Sequence, residues 1–209
     1  MSSQLRSGTT PAREVRRRNR LADIKREELL IDLEAIFLAE GFSGLTTDEL
    51  CRRLSCSKST LYSVAPTREQ INQAVVRHFF ARSTVEIDAR VAEESDTATK
   101  ILTYLAGVGA AMHRNSPAFY SDMISYPPTA EIYRLNSQAA AQRVQSLIED
   151  GVREGVFRPT DAALAGLTVG YLMDGVQSGG VLEATGLSAG DAFTELGELL
   201  VHGLAVRAK

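Results

Sequence analysis

The chain has 209 residues, 44% hydrophobic and 23% charged, which is enough to bury a core in a small module beside a larger one and too apolar for a disordered chain. No uninterrupted apolar run approaches the ~20 residues of a membrane span, and the first 20 residues lack an apolar segment, so a cytoplasmic protein without membrane contact is expected. The formal charge of −3 hides an asymmetry, because residues 1–80 hold 13 Lys and Arg against 10 Asp and Glu while residues 81–209 hold 10 against 16. That split predicts a polyanion partner for the front and something else for the rear.

Residues 1–22 read as a flexible basic arm: Ser, Thr, Gly and Pro come first, then Arg16, Arg17, Arg18 and Arg20, with few apolar residues to bury. A helix is expected from Asp23, with Leu30, Leu33, Ile36 and Phe37 at helical spacing and Gly41 as its stop. Thr46 with Glu49 three residues on is a capping box that opens a short second helix through Leu50 and Leu54. After a turn at Ser55-Cys56, Ser57 caps a third helix of about the same length, and Pro66 ends it. Thr67 with Gln70 repeats the box and starts a long fourth helix through Ile71, Val75 and Phe79 toward Ala92.

Two short capped helices joined by a tight turn make a helix-turn-helix. In the second of them Leu61 and Val64 suit the core, which leaves Lys58, Ser59, Thr60, Tyr62 and Ser63 to project outward. Beyond residue 96 come further helical stretches, with a turn at 156–160, and no alternating run long enough for a strand. The expected fold is all-α, with an arm over 1–22, a helix-turn-helix domain over 23–70 and a larger helical domain over 71–209.

Residues 29–75 resemble the DNA-binding domain of TetR-family transcriptional regulators. The resemblance rests on Phe37-Leu38-Ala39-Glu40-Gly41-Phe42, the capped segment Thr46 to Leu54, Ser57-Lys58-Ser59-Thr60-Leu61-Tyr62, and Pro66-Thr67-Arg68-Glu69 opening the fourth helix. It implies a DNA-binding domain followed by a helical effector-binding and dimerisation domain. It further implies a homodimeric repressor on a palindromic double-stranded operator, released by a small-molecule effector. The chain departs from the family pattern at Ser55, where glycine is usual, and at Ser63-Val64-Ala65, where an aromatic pair is common. Serine at such a turn carries a modest cost where φ is positive.

Short polar side chains on a recognition helix suit base edges and phosphates in a major groove. The DNA-contact candidates are Thr46, Ser57, Lys58, Ser59, Thr60, Tyr62, Ser63 and Arg68. Lys58 has two uses, guanine or phosphate, while Tyr62 and Arg68 suit phosphate. Arginines 16, 17, 18 and 20 either lie in a minor groove or along the backbone, or form a solubilising tail. Dimerisation is expected through the last two helices, where Gly166 and Gly170 with Ala163 and Ala165 either admit a partner helix or pack within one subunit.

For the effector the expected pocket residues are Tyr104, Phe119, Tyr120, Met123 and Tyr171, with Asp174 as a polar anchor on a buried helix; Met112, Tyr133 and Met173 are further wall candidates. The alternative for these aromatic and methionine side chains is plain core. No enzyme, metal or cofactor is expected, since His78, His113 and His202 are scattered and Gly107-Val108-Gly109 has Met112 where a dinucleotide fingerprint needs its third glycine. Cys51 and Cys56 read as reduced, partly buried thiols, with a redox role left open. The rival to a regulator is a helical protein-interaction adaptor that keeps the fold without specific DNA binding.

Overall fold

The computed structural model describes the backbone of residues 11–206, without the side chains of residues 11–19, 21, 22 and 177. Ten helices follow in order among these residues: α1 (Pro11–Glu40), α2 (Thr47–Arg53), α3 (Lys58–Leu61), α4 (Arg68–Glu93), α5 (Thr97–His113), α6 (Pro117–Ser125), α7 (Pro127–Glu154), α8 (Ala162–Gln177), α9 (Gly180–Thr185) and α10 (Ala189–Leu204). No strand forms among them, and an isolated bridge pairs Phe157 with Ala205. None of the described helices is long and apolar enough to cross a membrane.

Helix α1 begins at Pro11, twelve residues before the expected start at Asp23, so residues 11–22 are helical and not a loose arm. Proline suits a first helical position, where its missing N–H would have no partner, and the Ala, Glu and Arg that follow are good helix formers. The side chains of Arg16, Arg17 and Arg18 lie outside the described residues, and Arg20 is exposed.

A head module packs α1, α2, α3 and the first half of α4 around Leu33, Phe37, Leu50, Leu61, Ile71 and Val75, all fully buried. Its three predicted caps form: Thr46, Ser57 and Thr67 each accept a hydrogen bond from the backbone N–H three residues on, at 3.1, 3.2 and 3.2 Å. Helix α3 is one turn long, shorter than expected. Its chain then tightens, with Ser63 N donating to Thr60 O and Val64 N to Leu61 O, both at 3.1 Å, before Pro66.

Helix α4 runs on out of the head into a larger bundle, where α10 lies along α5 and α7 along α8. The head and bundle meet at α6. Ser116 N donates to Leu38 O at 2.8 Å, and Asp122 Oδ2 accepts from Phe42 N at 2.6 Å and Ser43 N at 2.8 Å. Gly41, at φ +78, completes this joint, because a Cβ there would fall 2.5 Å from Asp122 Oδ2 and 3.1 Å from the Ala118 backbone.

Gly166 and Gly170 both pack within the chain. A Cβ on Gly166 would meet Gln145 Cβ at 2.9 Å, and one on Gly170 would reach Ala141 Cβ at 3.9 Å, so both glycines face α7. Exposed instead on α8 are Leu164, Leu167 and Tyr171, spaced as one stripe, with Leu199 exposed on α10.

Candidate nucleic-acid interface and bundle cavity

The turn before α3 is set by the way α2 ends. Leu54 caps the helix, Ser55 takes φ +48, Ser55 N donates to Arg52 O at 3.4 Å and Cys56 N to Cys51 O at 3.0 Å. This is the paired 5→2 and 6→1 arrangement that closes many helices, with serine in the place glycine usually takes. It aims the next residue, Ser57, to cap α3.

On α3 the expected division holds. Leu61 and Val64 are buried, while Lys58, Ser59, Thr60, Tyr62 and Ser63 are exposed. The hydroxyls are held in place by one another: Ser57 Oγ lies 2.8 Å from Ser59 Oγ and 2.9 Å from Thr60 Oγ1, and Ser63 Oγ donates to Thr60 O at 2.6 Å. With Thr60 N–H these bonds saturate Ser57 Oγ, whereas Ser59, Thr60 and Ser63 each keep a lone pair for an outside donor. Thr46 is exposed at the start of α2.

The cations around this face are engaged. Lys58 Nζ lies 2.7 Å from Asp48 Oδ1, and this carboxylate raises the lysine above its ordinary value. Arg52 and Arg53 both bond Glu49, whose carboxyl their hydrogen bonds hold at about 2, and Arg53 also reaches Glu40. These exposed pairs are weak in water, so a phosphate can replace the carboxylate at small cost.

Arg68 does not join the exposed face. Its guanidinium stacks 5.2 Å over the Phe37 ring and donates to Phe42 O at 3.1 Å, to Leu45 O at 3.3 Å and to Asn72 Oδ1. Burial pushes it below the ordinary arginine value. Arg26 likewise turns inward and donates to Val64 O from Nε and Nη2, at 3.3 and 3.2 Å. Both carbonyl clamps arise from loops 23 to 38 residues away, so local pattern carries no signal for them.

The histidines have structural partners. His78 lies between Glu27 and Glu34 at 3.0 and 2.5 Å, His113 beside Asp191 at 3.1 Å, and His202 beside Glu198. Gly107 and Gly109 are buried in α5, against Ile87 and Gly190.

In the bundle a cavity of about 570 Å³ opens between α4, α5 and α7. Phe80, Ile87, Val108, Met112, Met173 and Phe193 give it apolar walls; Asp88, Lys100 and Arg143 line it with charge. Of the six residues expected here, Tyr104 alone lines it; burial and then the Asp88 charge push its hydroxyl up to about 12, so it stays a neutral donor.

The other five sit elsewhere. Phe119 and Met123 are fully buried core, and the Tyr120 hydroxyl donates to Val176 O at 2.9 Å. Tyr171 is 72% exposed and Asp174 is exposed, not on a buried face, because the side of α8 that carries them turns away from α7. Met112, Tyr133 and Met173 do line the cavity. The α4 contribution was missed in sequence, although Phe80, Thr84, Ile87 and Val91 recur at helical spacing along a single side.

No protein-family model and no curated protein matches the sequence. Solved structures do match the fold. A TetR regulator from Chloroflexus aurantiacus superposes at a TM-score of 0.69, with 17% identity over 90% of this chain and 100% of that one. A TetR-family regulator from Agrobacterium tumefaciens matches at 0.65, with 11% identity over 88% and 100%. A transcriptional regulator from Saccharomonospora viridis, solved with choline, matches at 0.66, with 16% identity over 87% and 98%. The all-α architecture of head and bundle is that of these regulators.

Proposed function

We propose that the chain is a TetR-family transcriptional repressor that binds a palindromic operator as a homodimer and is released by a small molecule. The observation that carries this reading is the α3 face: five polar side chains turned outward over the inward pair Leu61 and Val64. Ser59, Thr60 and Ser63 suit base edges, while Thr46, Ser57, Lys58 and Tyr62 suit the flanking phosphates. Arg16, Arg17, Arg18 and Arg20 at the start of α1 extend the phosphate contacts. Arg68 supports the face from behind and does not touch DNA.

One such module buries too little surface for specificity, so two copies must act together. The exposed stripe of Leu164, Leu167 and Tyr171 on α8, with Leu199 on α10, supplies an apolar surface for a two-fold partner. The cavity supplies the effector site, and α4 connects it to the head because one helix lines the first and holds the second. An effector shifts the population toward a spacing of the two heads that no longer matches the operator. Choline, bound in one structural neighbour, is the first probe for thermal-shift screening.

The test is anisotropy titration of labelled fragments from the protein's own locus, at low salt and at 0.2 M. Lys58→Gln is expected to reduce the salt slope by ~1 per protomer with unchanged stability. Arg68→Gln is expected to leave the slope alone and lower stability by ~2 kcal/mol, since it strips charged donors from two carbonyls. The adaptor reading draws on the internal ion pairs of Lys58, Arg52 and Arg53, and no binding to any fragment at low salt would establish it over the repressor.

A further inference from the structure

The turn that aims α3 also brings the two cysteines together. They stand at the two ends of its 6→1 bond, Cys56 N to Cys51 O at 3.0 Å, positions whose side chains frequently meet across this motif, and the Cys56 thiol lies within hydrogen-bonding reach of the Cys51 sulfur. The covalent path through that bond keeps the two Cα atoms within ~7 Å, close to the ~6.8 Å limit that a disulfide spans without backbone movement. Both cysteines are free and half-buried, so a small oxidant can reach them. The Cys56 thiol is pushed up by burial first and then by the sulfur of Cys51 beside it, which makes Cys56 the partner that stays protonated.

We infer that Cys51 and Cys56 form a reversible dithiol–disulfide modification site, closed by a hydroperoxide, that resets the angle of α3. Cys51 gives its proton to solvent and its sulfur attacks the peroxide oxygen. The O–O bond breaks, the leaving oxygen departs protonated as water or an alcohol, and Cys51 becomes a sulfenic acid. The Cys56 sulfur then attacks the Cys51 sulfur, the S–O bond breaks, and hydroxide leaves with the Cys56 proton as water. Two thiols are oxidised by two electrons and one peroxide is reduced. A small dithiol reverses the bond by exchange.

The bonded sulfurs sit at ~2.05 Å, well inside van der Waals contact, so closure draws Cys56 toward α2. Ser57, the cap of α3, is the next residue, and the displacement passes straight into the exposed face. This regulatory half rests on the proposed DNA binding; the chemical half does not.

The test uses the full reduced chain treated with hydrogen peroxide. Intact mass is expected to fall by two hydrogens with both thiols lost to alkylation, and dithiothreitol to restore both. Cys56→Ser is expected to stop at a Cys51 sulfenic acid that dimedone traps, and Cys51→Ser to form no intramolecular bond. Two alkylatable thiols after oxidation, or only intermolecular disulfides, overturn the site. On a fragment that the reduced protein binds, closure is expected to weaken affinity roughly tenfold, and the Cys56→Ser variant not to acquire a disulfide-dependent loss. Formation of the bond with unchanged affinity overturns the regulatory half, whereas a reduced protein that binds no DNA overturns the proposed function and leaves the mass result standing.

Discussion

Phe119→Ala is expected to lower the free energy of unfolding by ~3–5 kcal/mol, the cost of emptying a ring-sized space in a packed core. Phe119 comes from α6 and is fully buried. Its ring meets Phe42 edge-on at 6.3 Å and Phe79 at 5.9 Å, so a single side chain ties the α1–α2 loop, the middle of α4 and the bundle together. Relaxation into the space would require head and bundle to shift as units, which keeps the cost toward the upper end. In a chain of this size the midpoint of thermal unfolding should drop by roughly 10 °C. Phe119→Leu, which keeps most of the volume, should cost less than half as much. Calorimetry on both variants checks this, and a loss under ~1 kcal/mol for the alanine variant contradicts the packing described.

The second large effect is expected at Asp122. Its carboxylate accepts from two consecutive backbone N–H groups, those of Phe42 and Ser43, across the joint between modules. Asp122→Ala removes a charged acceptor and leaves the Phe42 N–H without its partner in a half-buried place, a cost of ~2–3 kcal/mol. Asp122→Asn keeps one carbonyl acceptor and should cost about half of that. Gly41→Ala should resemble the alanine variant in size, because it adds strain at φ +78 to a collision with the same carboxylate. Urea unfolding of the three variants gives the order. If the proposed DNA binding holds, affinity is expected to fall with them, since the Asp122 bonds hold the loop that leads into α2.

The head was legible in sequence because its signals are local. A cap at Thr46, Ser57 or Thr67 needs only the residue three places on, and Leu61 and Val64 face inward by the spacing of a single turn. The start of α1 was misjudged because burial was the criterion, whereas residues 11–22 carry good helix formers after a proline suited to a first helical position. The inward turn of Arg68 was not legible because the carbonyls that capture it belong to Phe42 and Leu45, on a loop that sequence order does not place beside it. The walls of the bundle cavity were the least legible. Phe119, Tyr120 and Met123 look like pocket walls by type, but which side of a helix meets a void is decided by how α4, α5 and α7 diverge, and no single helix encodes that divergence. Asp174 looked buried among apolar neighbours because α8 has apolar residues all round, and only packing against α7 says which side is wet.

The uninterrupted run of α4 has a mechanical consequence. From Arg68, beneath the exposed α3 face, to Ile87, in the cavity wall, is 19 residues, or ~28 Å of rod at 1.5 Å each. A tilt of only ~4° about the cavity end sweeps the far end through ~2 Å, more than the whole tolerance of a hydrogen bond. Under the function proposed above, a guest need not push hard to dislodge such a lever; a swing too small to break any packing contact near the fulcrum would already be a miss at the tip.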